Sequence, residues 1–256
     1  MMTETKQDRV ALVTGGGSGI GRQICLALAA DGRKVAAADI QTDGAAETAA
    51  QIVAAGGTAI AVTMDITSSD SVQDGRLQVI DELGPIEILV NCAGWDVLMP
   101  FLDTDEEFWE KVIDINYKGA LRTAHACLPG MVEGGWGRVV NIGSDAARVG
   151  SSLEAVYSGA KGGVISFTKT LAREMARKGV TANVVCPGPT DTPLLEGIVA
   201  ASDDGEKVIG AMARAVPMKR VGQPQEVASA VAYFASEDAG FITGQTLSVS
   251  GGLTMS

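Results

Sequence analysis

The sequence predicts a doubly wound α/β fold in a single domain: a mostly parallel sheet of seven strands with helices on both faces. Three observations lead there. Short runs that are apolar on both faces alternate with stretches of helical spacing, as expected of strands buried between two helical layers, because each crossover lays a helix over the sheet. The first apolar run ends in a glycine cluster that opens directly into a helix. No linker, repeat or break in composition divides the 256 residues. Residues 9–256 therefore read as one domain behind a polar, flexible start, 1–8.

The elements follow in order. RVALVT (9–14) is the first strand, and 20–30 a helix with Ile24 and Leu28 on one face. KVAAADI (34–40), TAIAVTMDI (58–66) and IEILVNCAG (86–94) are the next three strands, separated by helices at 44–55 and 70–83. A long helix over 104–128 leads to the strand GRVVNIGS (137–144), and a helix over 157–178 to VTANVVCPG (180–188). The helix 224–235 and the strand QTLSVSGG (245–252) complete the chain. The longest irregular stretch, 189–222, mixes polar and apolar residues. A loop of that length in a compact domain is usually functional, so it is expected to cover a substrate.

Composition narrows the function classes. With 46% hydrophobic and 20% charged residues the chain has ample apolar surface to fold. Thirty-one acids against twenty bases give a net charge of -11, which repels phosphodiester backbones and anionic lipid surfaces, so neither nucleic acid nor membrane is an expected partner. No run is long and apolar enough for a membrane span or a secretory signal, and the cytoplasm is the expected location. Cys25, Cys92, Cys127 and Cys186 form no C-x-x-C pair, and His125 is the only histidine; no metal site is expected. The cysteines read as reduced, mostly buried thiols. His125 reads as a helix-packing residue rather than as part of a Ser-His-Asp arrangement.

Thr14-Gly15-Gly16-Gly17-Ser18-Gly19-Ile20-Gly21 sits between the first strand and the first helix. There glycines let the backbone approach a pyrophosphate, and the helix N-terminus offers unpaired N–H groups, as in a Rossmann fold. Gly15, Ser18, Gly19, Ile20 and Gly21 are thus candidate cofactor contacts. Asp39 closes the second strand, where an acid accepts hydrogen bonds from the adenosine ribose. It favours NAD over NADP: a 2′-phosphate about 4 Å from a carboxylate costs roughly 4 kcal/mol per unit charge at an effective dielectric near 20, before screening. No basic residue directly follows Asp39, and Arg33 and Lys34 read as solvated surface charges. Asp65-Ile66 and Asn91-Cys92-Ala93-Gly94 lie at strand C-termini, where open parallel sheets bind ligands; Asp, Asn and Gly also favour plain turns, and spacing leaves both readings open.

Tyr157 and Lys161 are four apart at the start of a helix and so share a face, with Ser144 thirteen residues upstream at a strand end. An alcohol must lose a proton as its carbon loses hydride, and a tyrosine of ordinary pKa near 10 is protonated at neutral pH. An ammonium about 4 Å away contributes roughly 4 kcal/mol at an effective dielectric of 20, about three pKa units, which brings tyrosinate within reach. Ser144 can hold the substrate oxygen by hydrogen bonding, or simply cap its strand.

Together TGGGSGIG (14–21), Asp65, NCAG (91–94), Asn116 in DINYKGA, Ser144, YSGAK (157–161) and PGPTDT (187–192) resemble the short-chain dehydrogenase/reductase family over almost the whole chain. The resemblance implies Ser144, Tyr157 and Lys161 as catalytic residues, Asn116 holding a water in a proton relay to Lys161, and Lys161 on the nicotinamide ribose. It also implies cofactor contacts from Pro187, Gly188, Thr190 and Thr192, and a homotetramer built through the helices 104–128 and 157–178 with a second, C-terminal interface. Cys92 departs from the commoner NNAG; a small thiol should preserve the turn. The intact set makes a non-catalytic dinucleotide-binding regulator a poor reading.

Within the family, NCAGWD (91–96), SDAARVGSS (144–152), VVCPGPTDT (184–192) and FITGQTLSVSGGLTM (241–255) are similar to the 2-hydroxycyclohexanecarboxyl-CoA dehydrogenases, which implies an alicyclic hydroxy/oxo thioester as substrate. Trp95, Val97 and Met99 are candidates for a wall against the ring. Arg148, or Lys219 and Arg220, are candidates for a carboxylate or CoA phosphates, or else are solvated charges. The alternatives are a linear 3-oxoacyl thioester, reduced rather than oxidised, and a free hydroxycyclohexanecarboxylate.

Overall fold

The computed structural model describes residues 8–200 and 205–255, so the segment 1–7, expected to be flexible, lies outside the described residues. In chain order the elements are β1 (Val10–Thr14), α1 (Gly19–Ala30), β2 (Lys34–Asp39), α2 (Thr42–Ala54), β3 (Ala59–Thr63), α3 (Ser69–Leu83) and β4 (Ile86–Asn91). Then come α4 (Glu106–Ile113), α5 (Gly119–Gly134), β5 (Gly137–Ile142), α6 (Ala146–Val149), α7 (Ala155–Met175) and β6 (Val180–Pro187). The helices α8 (Pro193–Ala200), α9 (Gly205–Ala215) and α10 (Pro224–Phe234) precede β7 (Thr246–Val249). The seven strands form one sheet in the order β3-β2-β1-β4-β5-β6-β7, and every neighbouring pair is parallel.

Alternation along each strand divides the core between two faces. Val10 and Leu12 of β1 join Val72 and Val79 of α3, Met131 of α5 and Leu171 of α7 on one face. Ala11 and Val13 join Ile24 and Leu28 of α1, Ile52 of α2 and Val231 of α10 on the other. Each fully buried Leu or Ile contributes about 1.5–3 kcal/mol, and Leu12, Ile24, Leu28 and Ile52 are all of this kind. Strand order reverses between β1 and β4, so the loops leaving these two strands part and open a crevice at their carboxyl ends. Thr14 clamps that point: its Oγ1 accepts hydrogen bonds from the backbone N–H of Cys92 at 3.1 Å and of Ala93 at 3.2 Å.

Four expectations are corrected. The single helix over 104–128 is α4 and α5 joined through a π turn, Asp114–Lys118, and it runs on to Gly134. The irregular stretch 189–222 contains α8 and α9, whose short lengths and mixed spacing hid them. His125 is exposed on α5 rather than packed, because the buried stripe of that helix passes through Ala124, Cys127 and Met131. Arg33 is buried, its guanidinium 2.9 Å from the carboxylate of Asp31 in the turn after α1. The four cysteines are free thiols, three of them buried and Cys92 half-buried.

Candidate active site

A cleft of about 1060 Å³ runs along the carboxyl ends of the strands, at the upper end of the range for ligand sites. Its first wall is the glycine turn: Gly15, Ser18, Gly19, Ile20 and Gly21 all line it. A Cβ at Gly21 would fall 2.0 Å from the Gly15 carbonyl oxygen, so only glycine lets α1 begin this close under the turn. Ser18 caps α1 without a side-chain hydrogen bond, and the first turn of the helix carries no acid. The leading N–H groups therefore meet the cleft with neither a capping oxygen nor a repelling carboxylate, as a pyrophosphate requires.

Asp39 and Asp65 stand next along the cleft. The Asp39 carboxylate accepts from the backbone N–H of Gly17 on Oδ2 and of Gln41 on Oδ1, both at 2.9 Å. A carboxylate has about four acceptor positions, so two remain for the hydroxyls of a ribose. Asp65 Oδ1 accepts from the N–H and hydroxyl of Thr67 at 2.8 and 2.7 Å, which fixes the carboxylate in a turn that Ile66 continues along the cleft. Asp65 thus shapes its turn and also lines the cleft.

Of the third motif, Ala93 and Gly94 line the cleft and Asn91 does not. The Asn91 side chain turns beneath it into a buried chain in which Thr123 Oγ1 donates to Asn91 Oδ1 at 2.6 Å, Asn91 Nδ2 to Asn141 Oδ1 at 2.8 Å, and Asn141 Nδ2 to Thr168 Oγ1 at 2.8 Å. Asn91 is thereby a tie between β4, β5, α5 and α7, not a side-chain contact to a bound molecule. Pro187, Gly188, Thr190 and Thr192 close the far side of the cleft, and Leu195 and Ile198 of α8 with Met212 of α9 lie over it.

Ser144, two residues beyond β5, and Tyr157 and Lys161, on the first turns of α7, meet on the cleft floor. The Ser144 hydroxyl lies close enough to Tyr157 to favour its ionised form. Lys161 is buried, its Nζ donating to the Ile142 carbonyl at 3.0 Å and lying 5.7 Å from the centre of the Tyr157 ring. Burial pulls the lysine down to about 8. For Tyr157 the expected lowering is corrected: the protein's own groups raise its pKa, first through burial, then through the nearby charges of Glu154 and Asp96, with the Ser144 hydroxyl acting the other way. The sequence argument placed a cation close to the phenol but had no means of counting the two carboxylates.

Asn116 lies in the π turn, buried behind the floor. Its Oδ1 accepts from the Trp95 N–H at 3.2 Å, and its Nδ2 donates to the Trp95 carbonyl at 2.7 Å and to the Val112 carbonyl at 2.9 Å. The side chain thus pins both backbone groups of Trp95, whose ring lines the cleft under Lys111 Nζ, 3.8 Å from the ring centre. Arg148 is corrected as a substrate contact. It points from α6 to Ser248 at 2.6 Å, within a chain that Ser248 continues to Asp145, and it does not line the cleft. Arg220 is held by both oxygens of Glu226, and Lys219 bonds the Arg214 carbonyl at 2.8 Å. Sequence reasoning missed Asp96 and Glu154, which flank Tyr157. Among the described residues no group of His, Cys, Asp or Glu is arranged to hold a metal, and no helix is long and apolar enough to cross a membrane.

Comparison with known proteins places this geometry. Residues 15–254 match a family model described as enoyl-(acyl carrier protein) reductase. The chain is 41% identical over 249 residues to an acetoacetyl-CoA reductase of Allochromatium vinosum, covering 96% of this chain and 99% of that one. It is 39% identical over 250 residues to a 2,3-dihydroxy-2,3-dihydro-p-cumate dehydrogenase of Pseudomonas putida, covering 97% and 95%. A crystal structure of an actinorhodin polyketide ketoreductase with NADPH superposes with a TM-score of 0.92 at 36% identity, covering 97% of this chain and 98% of that one. The chain belongs to the short-chain dehydrogenase/reductase family, oxidoreductases that act on hydroxy and keto groups with a nicotinamide dinucleotide.

Proposed function

We propose that this protein interconverts a secondary alcohol and a ketone with NAD, using Tyr157 as acid and base. The observation that carries the reading is that Ser144, Tyr157 and Lys161 meet on the floor of a cleft whose other end is the uncapped start of α1. The bound dinucleotide supplies the hydride acceptor or donor. Gly15, Ser18, Gly19, Ile20 and Gly21 hold its pyrophosphate, Asp39 its adenosine ribose, and Asp65, Ile66, Ala93 and Gly94 its middle, with Pro187, Gly188, Thr190 and Thr192 toward the carboxamide. Ser144 holds the substrate oxygen, and Tyr157 takes its proton in oxidation or returns one in reduction. Lys161 holds the nicotinamide ribose and stands on the proton path, with Asn116 fixing the turn that carries Trp95 and helping to hold a water beside it. The preference for NAD over the NADPH of the solved relative rests on Asp39, whose charge opposes a 2′-phosphate.

The substrate we infer is a ring-bearing hydroxy or oxo compound of the hydroxycyclohexanecarboxyl type, with Trp95 as one wall. A relative named for a ring diol supports a ring in such a cleft. The CoA portion has less support, because Arg148 and Arg220 are engaged by groups of the protein and, among the described residues, the cations that line the cleft are Lys111 and Lys161. A linear 3-oxoacyl thioester is the second reading, favoured by the acetoacetyl-CoA reductase relative. Rates with NAD and NADP on 2-hydroxycyclohexanecarboxyl-CoA, the free 2-hydroxycyclohexanecarboxylate and 3-hydroxybutyryl-CoA separate these readings; a clear preference for the linear thioester overturns the ring. A cytoplasmic homotetramer completes the proposal. Exposed Phe241, Leu247 and Met255 near the C-terminus supply apolar surface for one of its interfaces, and light scattering in solution tests the state.

A further inference from the structure

Beside the Ser144–Tyr157–Lys161 floor lies a narrow recess lined by Asp96, Glu154 and Tyr157 together with Phe108 and Leu153. Asp96 follows Trp95 in the turn that Asn116 pins, and it is only 5% exposed. Its Oδ2 is buried without a hydrogen-bond partner. Glu154 is the residue before α7, three positions ahead of Tyr157, so it projects on the same side of the helix as the phenol and reaches both the recess and the main cleft. Asp96 and Glu154 line the same recess, where the negative charge of Glu154 bears on the Asp96 carboxyl. Burial and a second carboxyl group in the same recess both favour the protonated form, so the two groups together keep one proton more readily than either would in water.

We propose that Asp96 and Glu154 are a positioning pair for the reaction: they hold one proton between them against Tyr157, and the presence or loss of that proton sets how firmly the tyrosine holds its own. The inference rests on the assignment of Tyr157 as acid and base. The groups that face the pair are the Val97 N–H from its own turn and Lys161 from α7, both favouring the charged form of Asp96. Those that face Tyr157 are Glu154, Asp96 and Cys92, which favour the neutral phenol, and Ser144, which favours the ionised one. Burial and Glu154 carry Asp96 up to about 7, so the pair changes charge in the neutral range.

The sign follows. With its proton the pair carries one negative charge, and above neutrality it carries two. The second charge strengthens the hold of Tyr157 on its proton, which keeps the tyrosine competent to protonate a ketone at higher pH and delays its use as a base toward an alcohol. The pair thereby leans the enzyme toward ketone reduction as the pH rises. Trp95 and Asn116 set the distance, because they fix the backbone from which Asp96 projects.

The test compares wild type with Asp96→Asn and Glu154→Gln, each of which limits the pair to one charge. In the infrared difference spectrum of the protein with bound NADH, wild type should show a protonated carboxyl band that titrates around neutrality, is missing from Asp96→Asn, and titrates at lower pH in Glu154→Gln, where burial still acts on Asp96 but the neighbouring charge is gone. In kcat profiles for 2-oxocyclohexanecarboxyl-CoA reduction, and for acetoacetyl-CoA if that proves the faster ketone, both variants should lose reduction at a pH about one unit lower than wild type, and alcohol oxidation should rise correspondingly earlier. NADH affinity and melting temperature serve as controls. Should Asp96→Asn fail to fold, the half-exposed Glu154→Gln carries the same expectation alone. A carboxyl band unchanged by both substitutions, or superimposable pH profiles with intact NADH binding, overturns the proposal. The infrared reading needs no turnover, so it stands or falls separately from the role of Tyr157.

Discussion

Replacing Asp39 by Asn tests the cofactor argument at its physical source. The carboxylate lies at the end of β2 with one oxygen on the Gly17 N–H and the other on the Gln41 N–H, each at 2.9 Å. A Cβ at Gly17 would stand 2.8 Å from Asp39 Oδ2, so the glycine turn is shaped to let this carboxylate approach. A 2′-phosphate about 4 Å away is opposed by roughly 4 kcal/mol per unit charge at an effective dielectric near 20. Asp39 is half-exposed, and screening leaves about half of that, ~2 kcal/mol, or about 30-fold in a ratio of specificities. Asp39→Asn keeps the shape and removes the charge, so kcat/KM for NADP relative to NAD should rise about 30-fold or more. The substitution also replaces one accepting carboxylate oxygen by an NH2 donor that faces an N–H, at a cost of about 1–2 kcal/mol and a melting temperature lower by ~3–6 °C. The assay is steady-state kinetics with both dinucleotides beside a thermal melt. A wild type that already prefers NADP, or a ratio that moves less than about threefold, refutes the reasoning.

Three further substitutions probe the scaffold around the cleft. Gly21→Ala should abolish detectable NADH binding, because its Cβ meets the Gly15 carbonyl oxygen at 2.0 Å and backbone, not a flexible side chain, would have to move; unchanged affinity by fluorescence titration contradicts this. Gly130→Ala, in α5 with nothing within 4 Å of the added carbon, should instead leave NADH binding intact and stabilise the protein by up to about 1 kcal/mol, with a lowered melting temperature as the contrary result. Thr123→Val strands the buried Asn91 Oδ1 and should cost about 1–3 kcal/mol in denaturant unfolding; an unchanged midpoint would show that the chain from Thr123 to Thr168 carries no stability.

Much of this was legible in the sequence because the signals were local. Strand-forming runs such as VALVT and VTANVVCP are apolar on both faces, and a doubly covered parallel sheet is the arrangement that buries both. The glycine turn, Asp39 and the Tyr157–Lys161 spacing are set by neighbours in the chain, so residue order alone placed them on one edge. What escaped was set by contacts between distant segments. The π turn at Asp114–Lys118 differs from an α-helix by one residue in register, which periodicity does not resolve, yet it is what brings Asn116 onto Trp95. Asn91 looked like a cleft residue because it ends a strand, and only the positions of Thr123 and Asn141 show its side chain turned under the floor. Arg148 and Arg220 looked available until Ser248 and Glu226 were placed beside them. Asp96 and Glu154, 58 residues apart, meet only because the turn after β4 folds against the start of α7.

The central claim is that Tyr157 moves the proton of the substrate oxygen, and turnover by Tyr157→Phe measured together with its NADH affinity tests it most directly. Phenylalanine keeps the ring and removes only the hydroxyl beside Ser144. The account predicts NADH binding within about twofold of wild type and a kcat lower by at least about 100-fold, the scale of a lost general acid–base. Turnover near that of wild type, with the fold intact, would contradict it.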